Sequence, residues 1–277
     1  LFGNANGNEQ STNTYGLTIR HAYVSWDRWL AGQTWSNFQD AAALPDAVDF
    51  VGPTEGTIFV RQAQLRYTNG PWSVSVENPE TTVSPYLGGA RISSDDNAVP
   101  DLTARYLHKA AWGHFTVAGM VRQLKYQTPF LDESDTAYAI SVSGKWNIGA
   151  NDDIRYMVSY GSGIGRYLGL GLGSDALQAA DGSLEALEGQ GGYVAWRHAF
   201  NPKLRGNLFV SAASYDNNPL ISGLAVTRSA RSIHANLIYT VLPKLEIGAE
   251  LIHGNREIES GLDGDLRRLH MHVKYSF

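Results

Sequence analysis

Residues 268–277 read R-L-H-M-H-V-K-Y-S-F and sort into two faces. Leu269, Met271, Val273, Tyr275 and Phe277 fall on one side; Arg268, His270, His272, Lys274 and Ser276 fall on the other. Side chains of a β-strand alternate between faces, so this is a strand with one apolar and one basic face. A soluble sheet can do that once, with the apolar face in its core. Here the pattern recurs along the chain. Residues 72–77 set Trp72, Val74 and Val76 apart from polar neighbours, and residues 136–146 set Tyr138, Ile140, Val142 and Trp146 against Ala139, Ser141, Ser143 and Lys145. A recurrent greasy face opposite a recurrent charged one predicts a closed sheet with lipid outside and water inside.

Outward from that stretch, alternation predicts about 14 strands, beginning with the tail of one at residues 1–4. Short turns such as T-N-G-P (68–71), N-P-K (201–203) and L-P-K (242–244) alternate with long connections at 35–56, 78–99, 161–190 and 217–226. Residues 125–135 and 254–264 read as shorter loops, and 175–187 as a short helix within one. Short turns on one rim and long loops on the other are the layout of a transmembrane antiparallel β-barrel. The expectation is one all-β barrel domain over residues 1–277. A start inside a strand predicts that further residues precede Leu1. Trp26, Trp72, Trp146, Tyr156, Tyr160, Trp196, Tyr239 and Tyr275 fit aromatic belts at the two membrane surfaces.

Composition narrows the function. The chain of 277 residues has no Cys, which excludes disulfides and thiol chemistry. No apolar run approaches the roughly 18 residues of a membrane helix. A net charge of −5 gives no basic excess for nucleic acid. The glycine clusters G-S-G-I-G (161–165) and G-L-G-L-G (169–173) lack the helix a phosphate cradle needs. No G-x-S-x-G elbow is present, and Ser and His occur without an evident triad order. No cofactor is implied. His270 and His272 share a face at i, i+2, too few ligands for a metal site. His21, His198 and His253 fall on the outward phase, as subunit contacts or at the membrane edge, and Arg267 does so near the loop rim.

Four segments resemble the DcaP-like outer-membrane porins: A-G-Q-T-W-S-N-F (31–38), L-P-D-A-V-D-F (44–50), F-V-R-Q-A-Q-L-R-Y (59–67) and V-P-D-L-T-A-R-Y (99–106). The resemblance implies a 16-stranded, homotrimeric diffusion channel for dicarboxylates and similar small anions, inside the size range of such barrels. It implies that residues 35–56, with Trp35, Asp40, Asp46 and Asp49, fold inward as a constriction loop after the fifth strand. On that alignment two whole strands precede residue 1. The terminal Phe277 resembles the aromatic signal read during barrel assembly.

A channel makes and breaks no bonds, so its chemistry is electrostatic. The inward phase collects Arg20, Arg66, Arg105, Arg122, Lys145, Arg155, Arg197, Arg268 and Lys274, against Glu77, Glu246 and Glu250. A narrow water path lined with one sign of charge concentrates opposite ions. Arginine grips a carboxylate through two parallel hydrogen bonds, which suits dicarboxylates. Asp46 and Asp49, facing wall arginines, would add a transverse field. The expected partners are small anions and outer-membrane lipid, without nucleic acid. Rival readings are a sugar-specific channel, which needs a slide of lumen aromatics that Trp29, Trp35 and Phe38 are too few to form, a barrel hydrolase, and a soluble all-β binding protein.

Overall fold

In strand β4 (Trp72–Glu77), Trp72, Val74 and Val76 are exposed while Ser73, Ser75 and Glu77 are buried. A soluble protein does the reverse. The inversion runs across the molecule: Leu65, Leu102, Val121, Ile140, Val158, Val194, Val210, Leu237, Leu251 and Leu269 all stand in the open. Such a sheet is stable only where its outer surface meets hydrocarbon.

The computed structural model describes residues 19–277. Strands β1 (Ala22–Trp26), β2 (Trp29–Trp35), β3 (Arg61–Asn69) and β4 open a 13-stranded antiparallel sheet. It continues through β7 (Asp101–Ala110), β8 (Gly113–Thr128), β9 (Leu131–Ile148), β10 (Asp152–Ser162), β13 (Glu188–Asn201), β14 (Leu204–Tyr215), β15 (Thr227–Leu242), β16 (Leu245–Ile258) and β17 (Asp263–Tyr275). Every main-sheet neighbour is also the next main strand in the chain, the meander that hairpin connections produce. Among the described residues β1 and β17 are its two edges. The strand expected at residues 1–4 lies outside the described residues.

Four short strands form a second sheet, in the order β12-β11-β5-β6: β5 (Thr81–Ser84), β6 (Ile92–Ser94), β11 (Ala176–Gln178) and β12 (Leu184–Ala186). The helix expected over 175–187 is therefore a hairpin. Its turn explains why: Gly182 sits at φ 93°, and Ser183 bonds back to Asp181 through both its backbone nitrogen and its hydroxyl.

The loop expected at 125–135 is also corrected. Strands β8 and β9 pair up to Thr128↔Leu131, which leaves only a two-residue turn. Likewise β16 and β17 pair up to Glu257↔Asp263, well into the expected loop 254–264. Both hairpins rise past the apolar band. Where water meets both faces, a strand needs no apolar alternation, so the sequence signal fades while the hydrogen-bond ladder continues.

On the inner side, residues 36–60 fold back over the wall and meet the connection from β10 to β11. Ile58 bridges Leu168, Phe59 N donates to Tyr167 O at 3.2 Å, and Gly169 N donates to Thr57 O at 3.0 Å. Phe38, Ile58, Met157, Ile164, Tyr167, Leu168, Tyr193 and Tyr215 form a dry cluster between these segments and the sheet. Small inward residues, Ala118, Ala139 and Ala213 among them, make the room. The expected fully wet inner face is thus corrected: on the long-loop half, β8 to β14 are packed over.

Candidate functional site in the basic inner wall

Residues 36–60 cross the wall strand by strand. Asn37 Nδ2 donates to Ser73 O (3.2 Å) and Thr103 Oγ1 (3.0 Å), and its backbone nitrogen donates to Glu77 Oε1 (2.8 Å). Asp40 Oδ1 accepts from Ala42 N at 3.1 Å and so caps the short 3-10 turn Ala41–Ala43. Its other oxygen faces the wall: His114 Nε2 lies at 2.8 Å, Thr116 Oγ1 donates at 2.8 Å and Ser143 Oγ at 3.0 Å. Leu44 is extended at ψ 138°, as the residue before Pro45 must be. Tyr193 and Arg155 hold the carbonyls of Ala43 (2.9 Å) and Leu44 (2.6 Å). Beyond them Val48 N donates to Glu250 Oε2 (2.8 Å), and His272 Nδ1 lies 3.1 Å from Val48 O. One chain segment therefore touches the inner face from β4 to β17. Burial alone would raise the Asp40 carboxyl, but the hydrogen bonds and charge from His114, with Thr116 and Ser143, outweigh it and hold it below its ordinary 3.8.

Between this loop and the short-turn rim lies a belt of cations. Arg155 Nε and Lys145 Nζ meet Asp153 at 2.8 and 3.5 Å, and Arg197 reaches both Asp153 (3.5 Å) and Asp46 (3.6 Å). Arg205 binds Asp46 through Nε at 2.6 Å and Glu246 through its two terminal nitrogens at 2.8 and 3.0 Å. Lys274 is paired in register with Glu246 and is exposed. Lys145, Arg155, Arg197, Arg205 and Lys274 thus share Asp46, Asp153 and Glu246, and the belt keeps a positive excess. Above it, Asp49 faces Arg268 (3.3 Å) and His270 (3.4 Å).

Arg66 and Arg105 line a cavity of about 560 Å³ with Lys109, His114 and Asp40. Arg66 donates to Gln64 Oε1 (2.9 Å) and Trp35 O (2.5 Å); Arg105 donates to Gln39 O (3.2 Å), and its Nε has no partner. Among the described residues no carboxylate lies within ion-pair distance of either guanidinium.

The other expected residues sort as follows. Arg20 sets its guanidinium 4.7 Å from the Phe50 ring, near the loop's far end. Trp35 is the last residue of β2 rather than part of the loop, and carries Arg61 over its ring at 3.7 Å. Arg122 is a correction. It lies fully buried under the second sheet, with Asp101 at 3.2 Å and Asp175 at 2.8 Å, and donates to the carbonyls of Gly163 and Glu80. Two loops close over its end of β8, so an inward phase does not there mean contact with water. Phe38 packs in the dry cluster, which leaves fewer aromatics still for a sugar slide. His21, expected outward, bonds the buried Thr34 at 3.0 Å on the inner side. His198 stays at the membrane edge, 2.8 Å from Asp152 beside Trp196 and Phe200.

Sequence reasoning missed Arg205, although the alternation of Leu204, Leu208 and Val210 against Arg205, Asn207 and Ser211 carries the signal. It also missed an ordered Ser–His pair. Ser232 Oγ lies 2.9 Å from His234 Nε2, and His234 Nδ1 lies 2.9 Å from Glu250 Oε1. Ser232 and His234 lie two apart on β15, and Glu250 arrives from β16, where it pairs with Asn236, so only the carboxylate lies beyond what linear spacing displays. The Ser232 hydroxyl, however, donates to Glu55 Oε1 of the loop at 2.5 Å, so its proton is not directed at the imidazole.

A meandering sheet with an exposed greasy face, a cationic inner face and a loop folded against it defines an outer-membrane channel protein of the porin class. The chain belongs to the DcaP outer membrane protein family, matched over residues 2–277. Its place is the bacterial outer membrane. The outer membrane channel DcaP of Acinetobacter baumannii is similar at 28% identity and a TM-score of 0.83, over 98% of this chain and 78% of that one. OmpT of Vibrio cholerae (12% identity, TM-score 0.52, 89% and 75% of the two chains) shares the fold. So does OmpF of Salmonella typhi in complex with daunomycin (12%, 0.53, 88% and 74%). No curated protein matches.

Proposed function

We propose that the chain is a single closed barrel domain that acts as a passive diffusion channel preferring small anions, dicarboxylates among them. The observation that carries this reading is the pair Arg66 and Arg105, lining a cavity without a carboxylate partner. The cation belt from Lys145 to Lys274 continues the same sign of charge toward the short-turn rim. A low-dielectric wall around such a path raises the local anion concentration. The terminal nitrogens that the wall leaves free on Arg66 and Arg105 offer charge-assisted hydrogen bonds to the two ends of a short diacid. Residues 36–60 supply the constriction, and Asp46 and Asp49 set its transverse field against Arg197, Arg205 and Arg268. Family membership supports a homotrimer in outer-membrane lipid, and a transport rather than an enzymatic role. The Ser232–His234–Glu250 chain acts as an anchor for Glu55 and the loop.

Planar-bilayer reversal potentials test this. Arg105→Glu lowers the anion preference on this account. An unchanged reversal potential removes that residue from the path. Ester or peptide cleavage without conductance would favour a hydrolase instead.

A further inference from the structure

The outer face is largely apolar, and β15 to β17 carry a group of cations on it. The row Ile233↔His253↔Arg267 places an imidazole and a guanidinium on the outward phase, and Arg231 stands on that phase one row further toward the long-loop rim. All three are exposed, and among the described residues neither arginine has an ion-pair partner. The two neighbouring acids, Asp263 and Asp265, both take the Asn255 amide, at 2.9 and 3.0 Å. Directly below the cations lies an outward groove of about 610 Å³, between Leu208, Ile233, Leu251 and Leu269 with Ala235 as its floor.

Height fixes what this site can meet. Arg267 is eight residues (267 to 275) up β17 from Tyr275, in the lower aromatic belt. At about 3.4 Å per residue and a tilt of about 40°, that is roughly 20 Å, close to the full height of an apolar band. A cation there sits at headgroup level, where it is tolerated; deeper in hydrocarbon it is not. Cations without an ion-pair partner above an apolar groove are complementary to one kind of molecule, with an anionic head and a hydrocarbon tail.

We propose that this face binds a phosphorylated glycolipid of the outward leaflet. One acyl chain lies over Ala235, and its phosphate is held by Arg267 and Arg231, with His253 as a further hydrogen-bonding group. Arginine suits a phosphate better than lysine because its fork donates two parallel hydrogen bonds. The site is on the opposite face from the bore, so it stands apart from the selectivity reading.

The test uses the full chain purified from outer membranes in mild detergent, with native mass spectrometry counting retained phosphorylated lipid. The expected result for R231A/R267A is a loss of roughly tenfold in retained lipid, the scale of removing two charge-assisted contacts. Leu251→Trp, which fills the groove and keeps both cations, gives a similar loss. Heat-dependent gel mobility verifies that each variant is folded, and the reversal potential stays that of the parent. Added lipid A restores the bound species on the stripped parent protein, while its dephosphorylated form does not. Retention unchanged in both variants overturns the proposal. Equal restoration by the dephosphorylated form overturns the phosphate contact. Unchanged lipid with lost subunit association means that the face is instead a contact between copies of the chain.

Discussion

Arg205 reaches across the wall to hold Asp46 of the inward loop at 2.6 Å while gripping Glu246 with its other two nitrogens. It is the most fully engaged cation of the belt, and the charge that keeps two carboxylates neutralised. Arg205→Ala leaves Asp46 with Arg197 alone, at 3.6 Å. The anion-to-cation permeability ratio is expected to fall about two- to threefold, the effect of one charge across partly screened water. Asp46→Asn is expected to move it the other way by a similar factor. Reversal potentials in a salt gradient measure both; shifts of the same sign would contradict the arrangement.

The loop's close approach to the wall depends on Gly56. A Cβ there would lie 2.2 Å from Gly192 O and 2.5 Å from Ser211 Oγ, and Gly56 N donates to that hydroxyl at 3.1 Å. Gly56→Ala should push the returning arm inward at a cost of about 1–3 kcal/mol, as overpacking does. Greater open-channel current noise and faster proteolysis of the loop are the readouts. Parental noise and cleavage rates would mean that the loop rests on other contacts.

Arg122 holds two loops rather than solutes. Removing it strands Asp101 and Asp175 in a dry site, which typically costs about 3–5 kcal/mol. Arg122→Met should therefore lower the temperature at which the folded gel band disappears, with the reversal potential little changed. A large selectivity change at unaltered stability would return Arg122 to the bore.

Asp40 gives the loop its pH dependence. Its carboxyl titrates below its ordinary 3.8, because the wall's hydrogen bonds favour the ionised form. A depressed carboxylate contributes stability that is fully present above the unfolded value and is lost as pH falls through the folded one. Conductance should thus be insensitive to this group near neutrality, and should become noisy only below the usual carboxylate range. Asp40→Asn should show the acid behaviour already at neutral pH. Loop loosening of the parent at mildly acidic pH would contradict the assignment.

How much of this was legible in the sequence differs from place to place. Strands such as Trp72–Glu77 and Leu204–Tyr215 could be read to the residue, because lipid on one side and polar surroundings on the other enforce alternation. The hairpins at Thr128–Leu131 and Glu257–Asp263 could not, because they stand beyond the band where alternation is required. The basic character of the inner wall was legible, and so was the pairing of Asp46 and Asp49 with wall cations. The burial of Arg122 was not, because it depends on Asp175 arriving from a loop 53 positions away. Glu250's part in the Ser232–His234–Glu250 alignment was hidden for a related reason: it reaches His234 from the next strand, whereas Ser232 and His234 lie two apart on β15.

The central claim is an aqueous path whose cations prefer anions. It is tested most directly by the zero-current potential of the reconstituted wild-type chain across a potassium chloride gradient, followed by titration with a short dicarboxylate. The account predicts ohmic channels with a reversal potential on the chloride side, and a chloride current that the diacid reduces. A reversal potential on the potassium side, or membranes that stay silent while the protein is folded, would contradict it.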